Sequence, residues 1–437
     1  MKEELAYVLI TPYSLVKSRT GGIIGRILSM GALELVGARM YSPSDEFVDR
    51  YCATIETQDI KKPQIKKALL TYLNDYFRKD NRFGVSNRAM LLLFQGPNAL
   101  RVLNDAVVGS IAGEIRGDTV RGTYGDYIQG EDGQVEYFEP AVLIATDEET
   151  NRKQLALLAE YAERDGGILE HVLKFPEGTR PETTLVIIKP ENFVKHSSRP
   201  GNIVDIFSRS GLYIVGAKVL RMDVERAEKF YQPVKDALRE KLKPKLAKRL
   251  KESLSVTFGF PLKDEVLERM ADEIKGPNAE HEFNKIVEYM TGINPSQVQD
   301  PEERKKPGSA KCLALLYRGI SAVEKIRNIL GSTDPLRAAD ATVRSIYGYD
   351  LMRNAAHASC RSGSRTSHAT SRKPASWTSA LAASRTRRAM SGAQAPRPRS
   401  SVHVTRSPWS GSTRRRSSYE KPGCGSESGS RSSTPTT

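Results

Sequence analysis

The residues from Leu313 to Ser359 include several side chains suited to handling phosphate. Asn354, His357 and Ser359 form an Asn-x-x-His-x-Ser run. Thr333 sits in Gly331-x-Thr-x-Pro335, Arg344 in Thr342-x-Arg, and Arg327 in a helical pattern. Far upstream, Lys189-Pro190 closes an apolar run, and Tyr231 follows it. An imidazole, whose ordinary pKa is about 6.5, is a competent nucleophile when neutral. A guanidinium presents a fork of donors matched to phosphate oxygens, a lysine adds a point charge, and a threonine adds a hydroxyl donor. A phosphoryl group in transfer spreads negative charge over its equatorial oxygens, so its site needs fixed cations and donors more than acid–base groups. Of the six histidines (His171, His196, His281, His357, His368, His403), only His357 stands in such a run.

Positioning these residues requires alternating strands and helices. The patterning predicts strands over 183–189, 212–220 and 312–317, and helices over 201–209, 224–231 (stopping before Pro233) and 321–330 (ending at Gly331). Short links between them imply helices covering a sheet. A charged helical stretch over about 241–275 reads as an insertion packed on one side.

The chain also repeats itself once. Leu9-Ile10-Thr11-Pro12 answers Ile187-Ile188-Lys189-Pro190, and Leu35-Val36-Gly37-Ala38-Arg39 answers Ile214-Val215-Gly216-Ala217-Lys218. Thr119-Val120-Arg121 answers Thr342-Val343-Arg344 at a longer offset. A period of roughly 180–220 residues is too long for a solenoid and means two copies of one domain, joined near Lys174–Gly178.

The chain has 437 residues, 27% of them charged and 39% apolar, which is ordinary for a globular protein. No run of about 18 uncharged apolar residues suggests a transmembrane span. The N-terminus shows no signal-peptide cleavage pattern, and Cys52, Cys312, Cys360 and Cys424 are scattered without a CxxC pair, so a cytoplasmic location is expected. The net charge is +15, but residues 360–437 carry 13 Arg and 2 Lys against 2 Glu, or +13, leaving +2 for the rest. This Ser/Arg/Thr/Pro-rich tail, with one leucine (Leu381), lacks the apolar surface to fold and is expected to be disordered.

Taken in order, Lys189, Pro190, Tyr231, Arg327, Thr333, Arg344, Asn354 and His357 resemble the nucleoside diphosphate kinase family over about residues 183–359, with a weaker echo over 5–165. The resemblance implies an α/β fold (an α+β sandwich) of two ferredoxin-like nucleoside diphosphate kinase-type domains. These would be a degenerate domain over 1–175 and a catalytic one over 180–359 with a helical insertion at about 235–280, followed by the tail at 360–437. It implies a phosphotransferase, a kinase of nucleotide metabolism, that moves the γ-phosphate of a nucleoside triphosphate to a nucleoside diphosphate. The group would rest on His357 as phosphohistidine, with ping-pong turnover.

By the same resemblance, Lys189, Tyr231, Arg327, Thr333, Arg344 and Asn354 would bind nucleotide. Asn354 and Lys189 would face the sugar, Tyr231 would brace the histidine, and Ser359 would support the site. Mg²⁺ would arrive on the nucleotide, with no protein cage holding a metal. Tyr289-Met290 fixes the register of the family's base platform, leaving Glu282 at its first aromatic position and Phe283 at the second, where Phe283 would stack loosely on a base. Tandem copies could mimic a dimer of the family's usual subunits, and a homo-oligomer is compatible with the reading. No membrane partner is expected, and nucleic acid only through the tail. The alternative is a catalytically weak nucleotide-binding or scaffold protein of the same fold.

The first copy lacks the chemistry. Thr11 stands in place of Lys189 and Asn104 in place of Arg327, and aligning Ala145-Thr146-Asp147-Glu148 with the family's post-histidine residues puts Ile144 at the nucleophile position. This copy reads as a non-catalytic partner packed on the other. The second copy has Ala358 where the family has glycine, and its resemblance is expected to end at Ser359. There the DNA behind Cys360–Pro374 admits an alternative frame that encodes an acidic, amphipathic stretch. A frame shift at that point would remove the acidic residue expected to support His357.

Overall fold

The computed structural model describes residues 3–359 except 31–32, 59, 61, 82, 85 and 112–115, and all of these belong to one compact unit. The tail, its expected disorder, Cys360 and Cys424 lie outside the described residues.

The first half contains β1 (Glu3–Ile10), α1 (Thr20–Met30), β2 (Glu34–Tyr41), α2 (Asp45–Glu56), α3 (Pro63–Tyr76), β3 (Ala89–Pro97), β4 (Val142–Leu143), α4 (Glu148–Glu160) and β5 (Gly166–Gly167). The second contains β6 (Glu182–Ile188), α5 (Arg199–Ser208), β7 (Tyr213–Leu220), α6 (Val224–Phe258), α7 (Asp264–Thr291), β8 (Cys312–Gly319), α8 (Ala322–Leu330) and β9 (Ala356–Ala358). The first sheet runs β4-β1-β3-β2-β5 and the second β9-β6-β8-β7, every pairing antiparallel. The shared four-strand order is the structural form of the sequence repeat.

Local physics accounts for these elements. In β6, the run Thr183-Thr184-Leu185-Val186-Ile187-Ile188, β-branched at every position but Leu185, is buried along its length, as suits a central strand covered on both faces. In α8, Ala322, Ile326 and Leu330 bury one stripe at a spacing of four residues, leaving Arg327 outside.

The two halves share a single apolar core in which Leu9, Ile23 and Leu91 of the first join Val186, Phe207 and Leu315 of the second. Helices α1 and α5 cross with their backbones nearly touching. A Cβ added to Gly201 would lie 2.1 Å from the Gly25 nitrogen, and one on Gly21 would lie 2.4 Å from the Asp205 nitrogen. Glycine is required at this crossing. Elsewhere between the halves, Leu169 N–H donates to the Val215 carbonyl at 2.8 Å, Arg88 donates to the Ile214 carbonyl, and Arg221 pairs with Glu34 at 2.5 Å.

One expectation needs correction. Helix α6 does not stop before Pro233; it continues through Pro233 and Pro244 to Phe258, and α7 contains Pro277. Each internal proline forfeits a backbone bond, at a cost of about 3 kcal/mol or more. The pairing of the two helices offsets this. Tyr231 packs with Phe283, Val287 and Met290, and ion pairs Lys235–Glu280 (2.5 Å), Lys243–Asp272 (2.9 Å) and Lys251–Asp264 (2.8 Å) run up the hairpin like rungs. The stretch at about 235–280 thus lies within a helical hairpin, of Val224–Phe258 and Asp264–Thr291, that also carries Tyr231.

Candidate functional site

The site forms where edge strand β9 meets β6. His357 lies opposite Ile187, and residues 189–192, just past β6, clamp the loop that leads into β9. The Lys189 backbone N–H and the Asn192 side-chain amide both donate to the Ala355 carbonyl, at 3.0 and 2.8 Å. The Lys189 ammonium donates to the Met352 carbonyl and to Asn354 Oδ1, each at 2.7 Å. Asn354 in turn donates through Nδ2 to the Thr333 carbonyl at 2.9 Å. Ala355, between Asn354 and the strand, has φ +69°, a left-handed conformation unusual for a residue with a Cβ.

Arg344 completes the ring. Its guanidinium donates to the Gly331 carbonyl (3.1 Å), the Thr333 hydroxyl (3.4 Å) and the Ala356 carbonyl (3.1 Å), while its buried Nε has no partner. It thereby ties the Thr333 turn to the strand bearing His357. Burial pushes its pKa down to about 10, and the neighbouring charge of Arg327 pushes the same way. Arg327 itself is exposed at the end of α8.

The imidazole of His357 packs against Phe230 and Tyr231, with ring centroids 5.2 and 6.0 Å away, both edge-on. Burial among these rings, together with Lys189 and Arg344, holds its pKa down to about 3, so it is neutral at physiological pH. The Tyr231 hydroxyl is buried without a hydrogen-bond partner. Burial, opposed by Glu191 and aided by Arg344, brings the Lys189 ammonium down to about 8. Ser359 donates its backbone N–H to the Leu185 carbonyl at 3.0 Å, extending the β9–β6 ladder.

Lys189, Tyr231, Thr333, Arg344, Asn354 and His357 are thus linked by direct contact or short relay, with Arg327 within electrostatic reach. Phe283 is not among them. It is 2% exposed, lies in the apolar cluster of the α6–α7 hairpin, and has the Lys235 ammonium 5.0 Å from its ring centroid. The loose stacking platform expected of it is corrected to a core role, because its position on α7 turns it toward the partner helix. Sequence reading also missed Glu191, Asn192 and Tyr289. Glu191 and Asn192 directly follow the Lys189-Pro190 motif, which was the available signal.

Register corrects the nucleophile position in the first half. Leu9 and Ile10, the counterparts of Ile187 and Ile188, pair with Leu143 and Val142, as Ile187 and Ile188 pair with His357 and Ala356. The counterpart of His357 is therefore Leu143, not Ile144. Thr11 occupies the Lys189 position and donates its backbone N–H to the Ala141 carbonyl at 3.2 Å, as Lys189 does to Ala355.

A histidine on an edge strand, with the charges of Lys189 and Arg344 acting on it, is an arrangement whose residue types suit phosphate. Residues 182–256 and 304–370 match the family model described as nucleoside diphosphate kinase. The match runs past Ser359, where the resemblance was expected to end. A nucleoside diphosphate kinase of Pyrococcus furiosus is 28% identical over 181 residues, 41% of this chain and 74% of that protein. One of Kosmotoga olearia is 25% identical over 178 residues, 41% and 79% respectively. Among solved structures, a Pyrobaculum aerophilum NDP kinase aligns at 23% identity and TM-score 0.29, over 42% of this chain and 90% of its own. A Halobacterium salinarum nucleoside diphosphate kinase in complex with CDP aligns at 23% identity and TM-score 0.25, over 43% and 82%. The second half of the chain is thus similar to nucleoside diphosphate kinases, and this similarity supports a kinase-like enzyme. Among the described residues no helix is long and apolar enough to cross a membrane.

Proposed function

We propose that the second half transfers the γ-phosphate of a nucleoside triphosphate to a nucleoside diphosphate through phosphohistidine at His357. A ring nitrogen of the neutral imidazole attacks the γ-phosphorus. The P–N bond forms as the bond to the β–γ bridging oxygen breaks, and the nucleoside diphosphate leaves. A second diphosphate then takes the group onto its terminal oxygen by the reverse displacement. Lys189, Arg327 and Arg344 bring positive charge to the phosphate oxygens, the Thr333 hydroxyl and Asn354 amide add neutral donors, and the Tyr231 ring packs edge-on against the imidazole. These donors suit phosphate oxygens better than a bare cation, so Mg²⁺ would be held by the nucleotide's own phosphates and would neutralise charge there. The substrates are nucleoside tri- and diphosphates, and the site would work in the cytoplasm.

The observation that carries this reading is the convergence of Lys189, Asn354, Thr333 and Arg344 on the loop and strand that present a neutral His357. One observation favours the alternative of a catalytically weak nucleotide-binding or scaffold protein: the donors of Lys189 and Arg344 already bond the protein's own carbonyls. Incubation with γ-labelled ATP separates the two. Acid-labile label on the protein that disappears in His357→Ala supports the kinase. Nucleotide binding without label overturns it in favour of the scaffold.

A further inference from the structure

Glu191 has no role in the transfer chemistry above, yet its carboxylate holds two groups at once. Oε1 accepts the Ala355 N–H at 2.8 Å, and Oε2 accepts the hydroxyl of Tyr289 on α7. Ala355 is the residue with left-handed φ that separates Asn354 from the strand bearing His357. A non-glycine residue in such a conformation is strained and persists only where its surroundings over-determine it. Here both sides of the residue are held: its carbonyl by Lys189 and Asn192, its N–H by Glu191.

The first half provides an independent comparison. Ala141, at the matching register, has φ +59°, and its carbonyl accepts from the Thr11 and Ser14 side chains at 3.1 and 2.9 Å. Tyr13 stands at the position of Glu191, so the carboxylate comes from elsewhere. Glu139 Oε1 accepts the Ala141 N–H at 3.0 Å and the hydroxyl of Tyr72 on α3 at 2.9 Å. The same three-part clamp of a carboxylate, a left-handed alanine and a helical tyrosine has thus been built twice from different chain positions.

We infer that Glu191 is a positioning residue: by tying Ala355 to Tyr289 it sets where Asn354 and the His357 imidazole stand relative to bound nucleotide. The inference rests on the phosphotransfer reading. Glu191 touches no reacting atom; it acts through the backbone of Ala355. In the first half, where Leu143 replaces the histidine, the same clamp shapes only the loop.

The test uses the full-length chain with Glu191→Ala and Glu191→Gln. The rate constant of label uptake from saturating γ-labelled ATP and the ADP affinity are measured separately. Glu191→Ala should slow labelling by up to about 100-fold, the scale on which a misplacement of about 1 Å is felt, while ADP affinity changes less than about threefold. Glu191→Gln keeps an oxygen for the Ala355 N–H and should recover most of the rate. Equal losses of rate and affinity, or no rescue by glutamine, would make Glu191 a fold residue only and overturn the inference. Amide hydrogen exchange over 354–358 provides a readout that needs no activity. Faster exchange in Glu191→Ala supports the clamp, and unchanged exchange sinks it, even if the wild type takes no label and the phosphotransfer reading falls.

Discussion

Arg121 and Arg344 make the same two backbone contacts in the two halves of the molecule. Arg344 reaches the Gly331 and Ala356 carbonyls at 3.1 Å each, and Arg121 reaches those of Gly109 and Val142 at 2.7 and 3.3 Å. Gly109 and Gly331 have φ +85° and +84°, so the turns being anchored are alike as well. The first half has Leu143 and Thr11 at the positions of His357 and Lys189 but has this arginine, which marks a structural duty apart from the phosphate contact proposed for Arg344. Arg121→Ala should therefore cost about 1–3 kcal/mol in urea unfolding, since it leaves two carbonyls without their donor, while label uptake at His357 stays unchanged. Arg344→Ala should lower both stability and labelling.

The crossing of α1 and α5 makes Gly201 a sensitive position. A valine there meets the Gly25 backbone 2.1 Å from its Cβ, and no side chain can rotate away to relieve it. Gly201→Val should destabilise the chain by about 1–3 kcal/mol or more, read as a lower midpoint of thermal unfolding. An equivalent change at Gly211, whose Cβ would meet nothing within 4 Å but whose φ is +68°, should cost only its backbone strain.

Label uptake should have an unusual pH profile. With the His357 pKa held near 3, its imidazole stays neutral through the range in which an ordinary histidine gains a proton, so uptake should not fall between pH 8 and about pH 5. Lys189, lowered to about 8, loses its charge as pH rises through that value, and uptake should decline on the alkaline side. In Lys189→Gln the alkaline decline should vanish along with most of the activity.

Restoring the histidine alone should not revive the first half. Leu143→His supplies an imidazole, but Thr11 and Asn104 leave the lysine and arginine positions without cations. Labelling should remain at one phosphate per chain and disappear when His357→Ala is added.

Glu139 makes the first half sensitive to pH. Burial raises its carboxyl to about 7, against the lowering effect of its hydrogen bonds to Tyr72, Ala141 and Thr11, and Oε2 has no partner. A raised pKa means that the folded state holds the proton more tightly than the unfolded chain. The resulting stabilisation is full below the ordinary value of 4.5 and is lost as pH rises through about 7. Each tenfold difference in proton affinity between the folded and unfolded chain is worth on the order of 1.4 kcal/mol. Urea midpoints should fall between pH 5 and pH 8 in the wild type and stay level in Glu139→Gln.

Much of this site could be read along the chain. Lys189, Thr333, Arg344, Asn354 and His357 stand in short motifs, and the strands and helices that carry them follow from β-branched runs and four-residue apolar spacing, both local signals. The internal repeat was legible for the same reason, since each copy must rebuild the same strand order. What only the tertiary structure decided are relations between segments distant in sequence. A one-residue shift of pairing turns a strand's side chains to the opposite face, so Leu143 rather than Ile144 emerged as the counterpart of His357 only once β4 was seen against β1. Phe283 became a core residue, and α6 ran through Pro233, because each helix of the hairpin buries its apolar face against the other. The clamp of Glu191 on Ala355 joins residues 164 positions apart, and a backbone bent to positive φ at an alanine leaves no mark in the amino-acid sequence.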